Sequence, residues 1–184
     1  VNAGKTELDK FTETTHRLFF TTNHDKSAWE KTDVQLFNGE RGAMSAFVIA
    51  ATFGNSPLIY STQEIGREAL VSFFSYTNID WNSNPTILNE YKKIMSIYTS
   101  SDIFRNKYIT VYQDATNTDV LYYTHNNGSK EILVLVNVRN GEKTFSVPES
   151  FEGNTYTNLM DNTDITLTGS MQMSAYQYYI LEKK

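Results

Sequence analysis

Two short apolar runs, each breaking off into a polar loop and separated by a helical pattern, constrain this chain more than any other feature. The first, His16-Arg17-Leu18-Phe19-Phe20, feeds into Thr21-Thr22-Asn23-His24-Asp25. The second, Pro57-Leu58-Ile59-Tyr60, ends in Ser61-Thr62-Gln63-Glu64-Ile65-Gly66. Between them, from Gly39 to Phe53, the sequence is apolar on most faces, as in a helix packed between a sheet and its neighbours. Gly54-Asn55 supplies the stop. Strand, helix, strand implies a parallel pair with a right-handed crossover, with the strands at residues 16–21 and 57–60. A buried parallel strand of this kind can deliver polar chemistry at its carboxyl end.

The stretches after the two strands, residues 22–38 and 61–84, read as long loops, the first carrying His24, Asp25 and Trp29. Long irregular stretches signal function or an incomplete assembly. Residues 1–13 are polar and finish a preceding helix or form a linker. Asn84 is a candidate N-cap and Pro85 fits a first helical position. Ile87, Leu88, Tyr91, Ile94, Met95 and Tyr98 then give one apolar face, and Ser100-Ser101-Asp102 ends the helix. After about Phe104 alternation and turn residues take over. Strands are expected at Tyr108–Gln113, Val120–Thr124, Ile132–Val138, Lys143–Val147, Thr155–Asn158, Ile165–Leu167, Met171–Ser174 and Gln177–Glu182. Asn126-Asn127-Gly128 and Arg139-Asn140-Gly141 read as hairpin turns using positive φ. Short strands at this spacing suggest an antiparallel sandwich.

These residues carry a resemblance. The string FFTTNHD (19–25) resembles the F-x-x-N-H-D signature of the alpha-amylase family of glycoside hydrolases. The string GNSPLIYSTQEIG (54–66) is similar to that family's eighth barrel strand and its loop, with Ser61-Thr62 departing at the usual glycine. Phe73-Phe74 through Ile79-Asp80-Trp81 is similar to the loop before the eighth helix, and the remainder to the β-sandwich that follows the barrel. The resemblance implies an α/β plus all-β fold. Residues 1–103 would be the last two βα units of a partial (β/α)8 barrel, and 104–184 the C-terminal antiparallel β-sandwich. It also implies a retaining hydrolase acting on α-glucans such as starch and maltooligosaccharides. By resemblance Asp25 is the third carboxylate of the sugar subsite, a transition-state stabiliser. His24 and Asn23 are its substrate-binding residues, His24 hydrogen-bonding sugar hydroxyls and Asn23 orienting the loop.

Retaining glycoside hydrolysis needs two carboxyl groups about 5 Å apart, one as nucleophile and one as acid/base. The family motifs that carry both would precede residue 1, so the chain is expected to be catalytically silent alone. Glu64, the other acid at a strand-end loop, matches a structural position of the family. No cofactor is implied. The family's usual calcium ligands lie upstream, and no His/Asp/Glu grouping here has metal-ligand spacing, so no metal is assigned. A secreted or cell-envelope address follows by analogy alone.

Composition narrows the partners. Hydrophobic residues make up 40% and the net charge is −5, which suits a globular chain. The absence of a long Lys/Arg cluster excludes a nucleic-acid partner. The longest apolar stretch, near Phe47 to Phe53, is too short for a membrane span, and the amino terminus shows no signal-peptide h-region. There are no cysteines, so disulfides and thiolate metal sites are excluded. Aromatic content is 14%, which serves sugar contact and β-sheet equally. Exposed flanks of an isolated quarter barrel invite self-association, or a remodelled first half.

Each residue also has a plainer reading. Asp25 could be a turn or helix cap. His24, like His16 and His125, could be a structural histidine. Trp29 could stack on a sugar or pack under its loop. Asp114, Asp119, Asp161 and Asp164 fall in expected turns, where local hydrogen bonds explain them. Ser27 near His24 lacks a nucleophile-elbow pattern. Two other functions stay open: a non-catalytic carbohydrate-binding unit, and an amylase-like protein serving in assembly.

Overall fold

The most apolar run in the chain, Ile132-Leu133-Val134-Leu135-Val136, is buried on both faces and forms the middle of the molecule. The computed structural model describes residues 2–10, 12, 15–54, 56–106, 108–112 and 118–184. Helix α1 (Asn2–Leu8) is followed by strand β1 (Leu18–Phe19), helices α2 (His24–Trp29), α3 (Asp33–Leu36) and α4 (Glu40–Thr52), and strand β2 (Ser56–Pro57). A 3-10 turn at Gln63–Ile65, helix α5 (Pro85–Ser100) and a second 3-10 turn at Asp102–Arg105 lead into the sheet region. Its strands are β3 (Ile109–Tyr112), β4 (Val120–Asn126), β5 (Glu131–Asn137), β6 (Lys143–Ser146), β7 (Thr155–Asn158), β8 (Asp164–Thr166), β9 (Ser170–Met173) and β10 (Tyr178–Lys183).

β1 and β2 are parallel and joined through α4, as expected, with Leu18 opposite Ser56 and Phe19 opposite Pro57. They are shorter than the runs that announced them. Across the pair Arg17 O accepts from Ser56 N at 2.9 Å and Phe19 O from Leu58 N at 2.8 Å. Pro57 has no N–H to extend the ladder. Residues 22–38 are also more ordered than a loop, since they hold α2 and α3. Thr32 caps α3 through a reciprocal box, its hydroxyl accepting from Gln35 N while the side-chain Oε1 of Gln35 accepts from Thr32 N. That T-x-x-Q spacing is a readable helix start. α3 passes so close to α4 that a Cβ on Gly42 would sit 1.7 Å from the Phe37 carbonyl oxygen, which makes glycine obligatory there.

α5 follows its sequence signals. Asn84 Oδ1 accepts from Ile87 N at 3.2 Å, Pro85 occupies the first turn, and the face Ile87, Tyr91, Ile94, Ile97 and Tyr98 is buried. Leu88 and Met95, which the periodicity also assigned to that face, are only partly buried.

The expected sandwich is present. A six-stranded sheet in the order β3-β4-β5-β10-β7-β8, antiparallel throughout, faces the two-stranded sheet β6-β9. Tyr122, Leu133, Leu135, Tyr156 and Leu181 meet Phe145 and Met173 between them. The opposite face of the large sheet, with Tyr123, Ile132, Val134, Val136 and Ile180, packs on Met44, Phe47, Val48 and Ile94 of α4 and α5. The sheet is therefore the middle of three layers, and the period-2 alternation of β5 sends successive side chains into different cores.

Polar groups tie the helix layer to the sheet. The Thr52 and Tyr123 hydroxyls bond at 2.6 Å, and His125 Nε2 donates to Thr52 O at 2.5 Å. Burial pulls the His125 pKa down to about 4, so the ring is a neutral structural group at pH 7, as its plainer reading held. Arg41 of α4 forks onto both Glu90 carboxylate oxygens of α5 at 2.8 Å, and Tyr178 of β10 donates to the same carboxylate.

Of the two expected hairpin turns, one forms as read. Gly128 takes φ +88° between β4 and β5, and its N–H donates to Asn126 Oδ1 at 2.8 Å. The Arg139-Asn140-Gly141 turn differs. It connects β5 in the large sheet to β6 in the small one, with no positive φ. The buried Asn137 side chain shapes it instead, accepting from Arg139 N and donating to Gly141 O and Ser174 O. Asp119, Asp161 and Asp164 are locally engaged, with Arg139 and Lys143, with Thr163, and with Thr157 and Lys184 respectively. Asp164 lies on β8 rather than in a turn. Asp114, and Gln113 at the expected end of β3, lie outside the described residues.

Candidate functional site

The polar string that follows β1 turns directly into α2. Asn23 is the N-cap, extended at φ −145°, and its Oδ1 accepts from Lys26 N at 3.0 Å. Its side chain is thus spent on aiming the helix. His24 and Asp25 occupy the first turn, where an anion is favoured by the helix dipole. Their side chains are 60% and 66% exposed, and His24 Nε2 lies 3.4 Å from Asp25 Oδ1. Ser27 faces the other way, buried against the Thr22 hydroxyl at 2.8 Å, which gives it a structural role.

The residue that follows β2, a later loop and the far end of α2 furnish the walls. The Tyr60 ring, just beyond β2, lies 6.4 Å from the His24 ring, and Phe73 lies 5.9 Å away on a later loop. Trp29 meets Phe73 at 5.9 Å and Phe74 at 5.8 Å. Trp29 is 59% exposed and Phe74 85%, so neither packs beneath the loop.

A buried polar chain holds these ends in place. Gln63 Nε2 donates to Thr21 Oγ1 at 2.8 Å and to the Tyr91 hydroxyl oxygen at 3.0 Å. The Tyr91 hydroxyl in turn donates to Asp33 Oδ2 at 3.3 Å. Thr21 follows β1 and Gln63 follows β2, so the chain couples both strand ends to α3 and α5. Sequence reading missed Asp33, Gln63 and Tyr91 as a group. The capping box at Thr32 was the one local signal near it. Next to Gln63, Thr62 holds φ +74° at the place where the resembling motif has glycine, a strained geometry for a β-branched residue. Glu64 sits in the same 3-10 turn and adds negative potential at Asp33.

Asp33 is 1% exposed, and burial is the main cause that raises its pKa to about 6. Its ordinary value is 3.8, so between these two values the folded chain holds a proton that the unfolded chain has released. Stability therefore falls as pH rises through that window. We expect this group to cost roughly 2–3 kcal/mol on going from about pH 4 to about pH 7.5. Asp33→Asn should remove that part of the slope in urea unfolding at the two pH values. An unchanged slope would assign the effect elsewhere.

Among the described residues no group of three or more His, Cys, Asp or Glu side chains converges as a metal site, and no helix is long and apolar enough to cross a membrane.

No family model matches the chain, and no curated protein does. Solved structures do. A noncanonic maltogenic alpha-amylase, AmyB from Thermotoga neapolitana, superposes with TM-score 0.79 at 14% identity over 97% of this chain and 43% of its own. An alpha-amylase from Lactobacillus plantarum gives 0.77 at 14% identity over 98% of this chain and 41% of its own. AmyP, solved in complex with maltose, gives 0.75 at 10% identity over 98% and 43%. The chain therefore spans less than half the length of these structures. At such identities the likeness establishes the fold, and it is the fold that the FFTTNHD and GNSPLIYSTQEIG resemblance implied.

Proposed function

We propose that the 184-residue chain is the C-terminal part of an alpha-amylase-type retaining glycoside hydrolase acting on α-glucans. Residues 1–103 would complete the catalytic barrel and residues 104–184 form the accessory sandwich. The observation that carries this reading is the exposed His24–Asp25 pair at the carboxyl end of a parallel strand, walled by Tyr60 from the next strand, within a fold shared with amylases.

In this role Asp25 is a fixed anion beside the sugar ring. The transition state of glycoside cleavage carries positive charge on the ring, so the carboxylate favours it over the ground state. His24 bridges sugar hydroxyls, and Asn23, occupied as the helix cap, orients both rather than binding substrate. The nucleophile and acid/base belong to polypeptide that would pack on the open flank of β1, where Leu18 and Phe20 stand exposed. A second copy of the chain could cover the same flank.

The test is turnover. The purified chain alone should release no reducing sugar from soluble starch, and joining it to the segment that precedes Val1 in its gene should restore hydrolysis. Turnover by the chain alone, or none after joining, would overturn the assignment.

A further inference from the structure

We propose that Trp29, Phe73 and Phe74 form a stacking platform that holds further sugar units of an α-glucan, continuous with the His24–Asp25 pair; this rests on reading that pair as a sugar subsite. The rings make an unbroken path. His24 lies 5.9 Å from Phe73, Phe73 lies 5.9 Å from Trp29, and Trp29 lies 5.8 Å from Phe74. The contacts are tilted or edge-on, so none of these rings is stacked face to face on the next. Exposure is 59% for Trp29, 45% for Phe73 and 85% for Phe74. Three large rings left in water at one place mark a surface built to be covered.

The neighbouring groups identify what covers it. One end of the path begins at an exposed carboxylate and imidazole, which suit hydroxyls, while the other carries the Trp29 and Phe74 rings, which suit an apolar ring face. Each pyranose unit of a glucan presents both a rim of hydroxyls and an apolar C–H face. The rings come from α2 and from the loop that precedes α5, so the platform exists only when both strand-end loops are folded together.

Intrinsic fluorescence of the 184-residue chain tests this, because Trp29 and Trp81 are its only tryptophans and Trp81→Phe isolates the reporter. In that background maltoheptaose should change the Trp29 emission saturably. Phe73→Ala and Phe74→Ala should each weaken maltoheptaose about tenfold while shifting maltose, read by calorimetry, less than about twofold. Phe74→Tyr should retain binding. Circular dichroism should stay unchanged for all variants, since the rings lie on the surface. If Asp25→Ala leaves both sugars unaffected while the Phe variants still weaken maltoheptaose, the platform stands and the subsite reading fails. If Asp25→Ala weakens both sugars and the Phe variants do nothing, the platform is overturned and the subsite stands. A dimer in light scattering that Phe74→Ala disperses, with no response to maltoheptaose, would make the rings a self-contact and also overturn it.

Discussion

Asp25→Asn is expected to lower kcat of the complete enzyme by about 10²- to 10³-fold with little change in KM. That range matches what is lost when one preorganised electrostatic partner of a transition state is removed. Asparagine keeps the shape and a hydrogen-bonding oxygen but removes the charge. Ground-state contacts to neutral sugar hydroxyls therefore survive, while attraction to the positively charged ring is lost. This is the kinetic pattern of an interaction made only in the transition state. The side chain is 66% exposed, so the variant should unfold with the parent. Initial rates on maltooligosaccharides, with a thermal melt as control, decide the matter. An unchanged kcat would return Asp25 to its plainer role as an acid in the first turn of α2.

Phe47→Ala should produce the largest stability loss, about 3–5 kcal/mol. Phe47 is fully buried on α4, its ring 4.5 Å from that of Tyr91 on α5, and it belongs to the core that these helices share with the large sheet. The surroundings cannot collapse into the gap, because a helix bounds it on one side and a continuous sheet on the other. For a chain of this size the midpoint should drop by about 6–20 °C. Two probes make the result specific to the shared core. In a Trp29→Phe background Trp81 fluorescence reports the stretch before α5, and far-ultraviolet dichroism is weighted toward the sheet. Both should melt together, before and after the substitution. Separate transitions, with only the fluorescence moving, would show that helices and sheet do not share one cooperative core.

The parts of this protein legible in the sequence were those whose cause is local. Asn84-Pro85 marked the start of α5 because capping and a fixed φ act within one turn. Asn127-Gly128 marked the β4–β5 hairpin because positive φ is cheap only for such residues. The FFTTNHD string placed Asn23, His24 and Asp25 just past a strand, although β1 is not the buried strand its apolar run implied, since Leu18 and Phe20 are exposed. Arg139-Asn140-Gly141 carried the same local signal as the first hairpin and still connects two sheets, because the buried side chain of Asn137 overrides turn propensity. The Thr21–Gln63–Tyr91–Asp33 chain had no local signature, since its bonds join residues 28 to 58 positions apart.

Sequence alone determined where α4, α5, the sheet-region strands and the acid–imidazole pair fall along the chain, though not α2 and α3, because periodicity and turn chemistry depend on neighbours a few residues away. Tertiary structure decided that β5 is covered on both faces, that Arg41 pairs with Glu90, and that Tyr60 and Phe73 stand beside the His24 ring with Trp29 beyond Phe73. Those outcomes are set by which apolar faces bury one another, a choice made only when distant segments compete for the same water-excluded surface.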